Sequence, residues 1–162
     1  MTPYRTSVPP EWIDYNGHMM DGYYAIAFSA ATDALMDALG LDAAYRDATR
    51  CTIYTAEMHI VYLRELKEGA PLSFATQLLA HDTKRLHAFH CLFHESEGFL
   101  AATCEVMLLH VDQAQGRVAA MPEAILARVA AMARAQAGLP RPAQAGRVIG
   151  FSRQQQPVKT VP

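Results

Sequence analysis

Between Trp12 and Tyr24 the chain reads Trp-Ile-Asp-Tyr-Asn-Gly-His-Met-Met-Asp-Gly-Tyr-Tyr, so that a carboxylate (Asp14), an amide (Asn16) and an imidazole (His18) stand at alternate positions. A long apolar pattern at helical spacing follows directly. A carboxylate can attack a polarised carbonyl or activate water, and the N–H groups of a helix start can hold the oxyanion that results. An ordinary aspartate, with a pKa of ~3.9, is ionised at neutral pH and needs no further base. The expected oxyanion donors are the amides of Asp21, Gly22 and Tyr23, where the positive helix end also favours negative charge. Gly22 would let a substrate approach the backbone closely. Asp-x-Asn-Gly is also turn-forming, so a purely structural Asp14 stands beside the chemical one. Asn16 and His18 can hold a substrate carbonyl, a water or the Asp14 carboxylate; His18 can equally bond to the loop backbone.

The surrounding pattern must position this loop. Residues 4 to 8 suit a short strand stopped by Pro9-Pro10. From Gly22 to Leu39, Tyr24, Phe28, Ala31, Leu35 and Ala38 recur at helical spacing, with Asp21 expected to cap the start and Gly40 the end. The other side is apolar too (Ile26, Ala27, Ala30, Ala34), leaving a narrow wet stripe at Asp33 and Asp37. Such a helix is normally surrounded by other structure. A helical or irregular stretch is expected over 43–47.

Tyr54, Ala56, Met58, Ile60 and Tyr62 then alternate with Thr55, Glu57 and His59, the period of a strand. Further strands are expected over 72–81, 85–94 and 99–111, joined by short polar turns as an antiparallel meander. Pro122 opens a C-terminal helix carrying Ile125, Leu126, Val129 and Met132. A buried helix followed by long strands predicts an α+β chain in which a curved antiparallel sheet wraps the helix, the hotdog arrangement. Residues 1–137 form the expected domain. Residues 138–162, with the cluster Val148-Ile149-Gly150-Phe151, read as a tail crossing a surface or a neighbouring subunit.

Composition narrows the partners. The chain has 162 residues, 51% hydrophobic and 19% charged, with a net charge of -2, which fits one globular domain. No basic run invites nucleic acid or an anionic membrane. No export signal opens the chain, no stretch is long enough to span a bilayer, and Cys51, Cys91 and Cys104 are too few and too widely spaced for a disulfide framework. A cytoplasmic protein is expected.

Asp14-Tyr15-Asn16-Gly17-His18-Met19, placed directly before the helix, resembles the Asp-x-Asn-x-His segment of hotdog acyl thioesterases, the superfamily that includes the 4-hydroxybenzoyl-CoA thioesterase-like enzymes. Glu57-Met58-His59-Ile60-Val61-Tyr62-Leu63 followed by Glu68-Gly69 is similar to that family's first long strand and turn. Within it, residues 12–19, 82–87 and 105–110 look like the betainyl-CoA thioesterases associated with carnitine breakdown. Met20 and Asp21 stand where the family commonly has an Asn-Asn pair, so the contacts of those amides are in question. The resemblance implies that Asp14 attacks a thioester carbonyl or activates a water to do so. It further implies a CoA thioester as substrate, no cofactor, and a homodimer or dimer of dimers with its active sites between subunits.

Other residues carry weaker signals. Some related thioesterases use a second carboxylate near the position of Glu57, which reads otherwise as a solvated strand residue. Trp12, Tyr15, Tyr23, Tyr24 and Tyr54 are core aromatics or a cage for a quaternary ammonium group. Lys84 and Arg85 are candidates for the CoA phosphates, or an ordinary charged turn. On a strand, His87 and His90 face opposite ways, so no metal is expected there. A hotdog enoyl-CoA hydratase is the rival enzyme, but its motif is one residue longer between Asp and His, with proline where Gly17 stands. A non-catalytic acyl-CoA sensor is the rival of another class.

Overall fold

The computed structural model describes residues 4–150. Strand β1 (Tyr4–Ser7) is followed by a single 3-10 turn, Pro10–Trp12, and by the loop that carries Asp14. Helix α1 (Asp21–Leu39) and the short helix α2 (Ala43–Thr49) come next. The sheet then builds up through β2 (Cys51–Tyr62), β3 (Pro71–His81), β4 (Arg85–His94), β5 (Leu100–Asp112) and the two-residue β6 (Arg117–Val118). Helix α3 (Glu123–Gln136) closes the fold. The strands are antiparallel in the order β1-β3-β4-β5-β2, with β6 on β5, and α1 lies against their inner face. This is the α+β hotdog architecture that the sequence predicts.

Tyr24, Ala27, Phe28, Ala31, Leu35 and Leu39 of α1 are buried against the sheet, meeting Phe74, Leu86, Leu92 and Val106 in one core. Removing that much apolar surface from water is what holds the helix in place. Inside the core His90 stacks on Phe28 and touches two hydroxyls, Thr32 Oγ1 at 3.1 Å and Thr76 Oγ1 at 2.8 Å. Thr32 donates to the carbonyl of Phe28, so it accepts from the ring Nε2–H, and Thr76 donates to Nδ1. The imidazole is therefore neutral with both nitrogens satisfied.

Two expectations about α1 need correction. Asp21 is the first helical residue, and Met20, in extended conformation, is the N-cap. The helix is also less enclosed than its composition suggests: Ile26 is 55% exposed, beside exposed Ser29 and Asp33. Strand β2 has the same character. Among the described residues it pairs only with β5, which leaves its other edge open, and the alternation read from its sequence leaves both faces exposed over residues 54–57. An open edge beside exposed apolar residues is a surface that normally acquires a neighbour.

At the far side of the sheet, β1 pairs with β3 from Pro71 to Phe74, and Gln136 of α3 takes up the edge beyond it, accepting from Leu78 N and donating to Thr76 O. The segment after α3 crosses the outer face of the sheet, where Gly146 N donates to Glu105 Oε2 at 2.6 Å. The rest of the expected tail, from Phe151 onward, lies outside the described residues. None of the described helices is long and apolar enough to cross a membrane.

Candidate active site

The reactive loop is closed on itself by its backbone. Gly17 N donates to Asp14 O at 3.0 Å, making a tight turn that Gly17 completes at φ 79°, a conformation open to glycine. Asp14 N donates to His18 O at 3.0 Å, and Met20 N donates to Trp12 O at 2.9 Å. Met19, almost fully buried, donates to Leu66 O at 2.8 Å and so ties the loop to the segment leaving β2. Each bond fixes a residue on the path into α1.

Asp14 is gripped by its neighbour: Asn16 donates its backbone N–H to Oδ1 at 2.7 Å and its side-chain amide to Oδ2 at 3.1 Å. Desolvation alone would raise the Asp14 pKa, but the two Asn16 bonds, followed by the charge and backbone of His18, outweigh it and leave the pKa below its usual 3.8. The carboxylate is held ionised and oriented. Asn16 itself does not line the cavity and touches it only through Asp14.

Beside Asp14 opens a cavity of about 560 Å³, lined also by His18, Asp21, Tyr24, Tyr62, Arg64 and Glu65. The helix start borders it through Asp21. Among the described residues, the Asp21 N–H has no hydrogen-bond partner, whereas Gly22 N is taken by the Asp21 carboxylate at 2.8 Å and Tyr23 N by Met20 O at 3.1 Å. Of the three amides expected from sequence, the one at Asp21 is thus left without a partner among the described residues.

The other expected residues divide. Tyr15, 97% exposed, and Tyr24, buried, both line the cavity. Trp12 and Tyr23 do not: their rings stack on each other at 5.4 Å and pack against the core, bracing the loop from behind. Tyr54 and Glu57 lie too far back along β2, about 27 and 17 Å from Tyr62 at the rise of a strand, and Tyr54 is held by Gln113. Lys84 and Arg85 stand at the opposite end of the sheet, where Arg85 pairs with Leu109 while Tyr62 pairs with Ala102. Arg85 is also committed to Asp82, whose pKa it pulls down to about 2. Within one chain these four residues do not reach Asp14. His87 turns to Glu105 on the outer face, and among the described residues no cluster of His, Cys, Asp and Glu is arranged to hold a metal.

Tyr62, Arg64 and Glu65 were not expected at the site. They arrive because β2 ends at Tyr62 and the chain doubles back, with Leu63 N and Arg64 N both donating to Ala101 O. The Tyr62 hydroxyl donates to the carbonyl of Asp21 at 3.2 Å, and its ring meets Tyr24 edge to face at 5.1 Å. Burial, joined by the charges of Tyr62 and Glu65, pushes the Tyr24 hydroxyl up to about 12, so it stays neutral. Arg64 lies over the Phe99 ring at 3.8 Å and reaches Glu97 at 3.7 Å, at the rim.

Comparison with known proteins fits this geometry to a family. The family described as the thioesterase-like superfamily matches residues 8–129. The chain is 49% identical over 151 residues to a betainyl-CoA thioesterase of Pseudomonas aeruginosa, covering 93% of this chain and 95% of that protein. It is 39% identical to a Rhizobium meliloti L-carnitine dehydrogenase/betainyl-CoA thioesterase, covering 91% of this chain but 30% of that longer protein. Among solved structures, a Staphylococcus aureus protein in complex with CoA superimposes with a TM-score of 0.87 at 33% identity, covering 93% of this chain and 94% of the other.

Proposed function

The chain belongs to the thioesterase-like superfamily and is an acyl-CoA thioesterase, and from that premise we propose that it hydrolyses betainyl-CoA to glycine betaine and CoA, with Asp14 as the reacting carboxylate. The observation that carries the mechanism is the placement of an ionised, doubly bonded Asp14 on one cavity with Asp21, whose N–H has no partner among the described residues.

A thioester carbonyl in that cavity puts its oxygen at the Asp21 N–H and its carbon before Asp14. The carboxylate supplies the electron pair, either by attacking the carbon itself or by taking a proton from the water that attacks. Negative charge builds on the carbonyl oxygen, where the amide and the helix end stabilise it. The C–S bond then breaks and CoA leaves as a thiolate, a good leaving group that takes its proton from water. In the direct route, water subsequently hydrolyses the mixed anhydride on Asp14. Asn16 keeps the carboxylate aimed, and His18 lines the same cavity as a further hydrogen-bonding group. No cofactor enters any of these steps.

The acyl group is named on the 49% identity to the Pseudomonas enzyme, which spans nearly all of both chains. For the CoA end, Arg64 and Lys67 on the groove adjoining the cavity replace Lys84 and Arg85 as candidates for the phosphates. A homodimer or dimer of dimers is supported by the open edge of β2 and the exposed Ile26. The test is thiol release from a panel of CoA thioesters. Betainyl-CoA should exceed an uncharged acyl-CoA of similar size by at least about tenfold in kcat/KM, a difference of ~1.4 kcal/mol in transition-state binding. Equal rates across the panel would contradict the choice of substrate.

A further inference from the structure

The acyl cavity carries more negative charge than hydrolysis wants. Asp14, Asp21 and Glu65 all line it, and the one guanidinium, Arg64, is drawn outward to Glu97 and Phe99. Hydrolysis adds another negative charge, on the carbonyl oxygen. Carboxylates beyond the one that reacts raise the cost of that step unless the substrate brings a compensating cation.

Only part of this charge has a role so far. Asp14 reacts, and Asp21 accepts from Gly22 N with its side chain. Glu65 is exposed and makes no ion pair among the described residues, yet Leu66 next to it is buried and bonded to Met19, which fixes the backbone that presents it. Tyr62 is equally unexplained. The residue is 51% exposed while its hydroxyl is anchored to the Asp21 carbonyl, so an accessible aromatic residue is pinned one peptide from the Asp21 amide.

We infer that Tyr62 and Glu65, with the Tyr24 ring set edge to face against Tyr62, form the wall that recognises a quaternary ammonium group on the acyl chain. This rests on the betainyl-CoA reading above and adds the residues responsible for it. In a betainyl group the nitrogen stands two bonds from the reacting carbonyl carbon, about 2.5 Å away. A carbonyl seated at the Asp21 amide therefore puts the cation against whatever surrounds the helix start, which is where Tyr62 is tethered. A quaternary ammonium donates no hydrogen bond, so aromatic faces and a nearby carboxylate are the groups that can select it. Of the five aromatics expected from sequence for this cage, Tyr15 and Tyr24 line the cavity and Trp12, Tyr23 and Tyr54 do not, and the turn at the end of β2 adds Tyr62.

The experiment compares kcat/KM for betainyl-CoA with that for tert-butylacetyl-CoA, an isostere in which carbon replaces the charged nitrogen. In wild type the cation should be preferred. Glu65→Gln and Tyr62→Leu should each cut the betainyl to tert-butylacetyl ratio by about fivefold to tenfold, mainly through KM. Tyr62→Phe, which keeps the ring, should hold the ratio within about twofold of wild type. A wild type that prefers the cation, with a ratio unmoved in Glu65→Gln and Tyr62→Leu, overturns this assignment and leaves the betainyl-CoA reading standing. A wild type without preference overturns the substrate itself. A variant that loses both activities equally, as through misfolding, leaves the ratio unmoved and counts against the wall.

Discussion

Asn16 holds both oxygens of the Asp14 carboxylate, one through its backbone N–H at 2.7 Å and the other through its side-chain amide at 3.1 Å. The pair keeps Asp14 ionised and aimed at the cavity while remaining outside it. The sign of the pH effect follows. A carboxylate whose pKa lies below 3.8 stays charged until the pH falls through that lowered value, so the acid limb of kcat/KM should lie below the ordinary aspartate range. Asn16→Ala removes the side-chain bond and should move that limb upward. At neutral pH it should lower kcat by about tenfold to a hundredfold through misplacement of the carboxylate. Initial rates taken within seconds of a pH jump measure both. An unmoved limb with unchanged kcat would remove Asn16 from the account.

The Asp21 amide admits an unusually clean test. Asp21 opens α1, the helix position where proline is best tolerated, and Met20 before it has φ -64° and ψ 143°, a conformation suited to a residue preceding proline. Asp21→Pro therefore deletes the N–H with little cost to the helix. It should lower kcat by about a hundredfold to a thousandfold, the usual effect of losing an oxyanion donor. Asp21→Ala, which keeps the N–H and loses the carboxylate, should cost less than about tenfold. Equal effects of the two would mean that the side chain, not the amide, is what counts.

The same loop marks where sequence was informative. The grouping of Asp14, Asn16 and His18 before the helix start was legible because all lie within one short segment, and local spacing decides geometry there. The wrapped helix was legible for a similar reason, since period-two strands following an apolar helix leave few ways to bury it. Tyr62 and Glu65 were not. They reach the loop through a reversal after β2 that ends in the bond from Met19 to Leu66, and no periodicity announces which end of a strand faces which loop. The same ignorance grouped Tyr54, Glu57, Lys84 and Arg85 with the loop, though within one chain they sit along or across the sheet from it. Trp12 and Tyr23 looked like ligands because nothing in their order shows that they stack on each other.

Acid should weaken the fold through His90. Burial lowers its pKa from 6.5 to about 4. A base harder to protonate when folded gives stability that is present above the unfolded value and is lost as the pH falls from there toward the folded value. Between pH 7 and pH 5 this residue alone should remove about 2 kcal/mol of unfolding free energy, to order of magnitude. Urea titrations at the two pH values, with His90→Gln beside wild type, check this. A variant as pH-sensitive as wild type would show that the loss arises elsewhere.

The open edge of β2 should be covered in solution. Light scattering is expected to give a mass of two or four times the 17.8 kDa of one chain. A stable species at the single-chain mass, with full activity, would contradict assembly through that edge.

Everything else depends on the reacting carboxylate. The most direct measurement is steady-state thiol release from betainyl-CoA by wild type and by Asp14→Asn, with circular dichroism to confirm an unchanged fold. An asparagine of nearly the same shape can neither attack nor take a proton, so kcat should fall by about a thousandfold. An Asp14→Asn protein that turns over betainyl-CoA within a few-fold of wild type would contradict the mechanism at its centre.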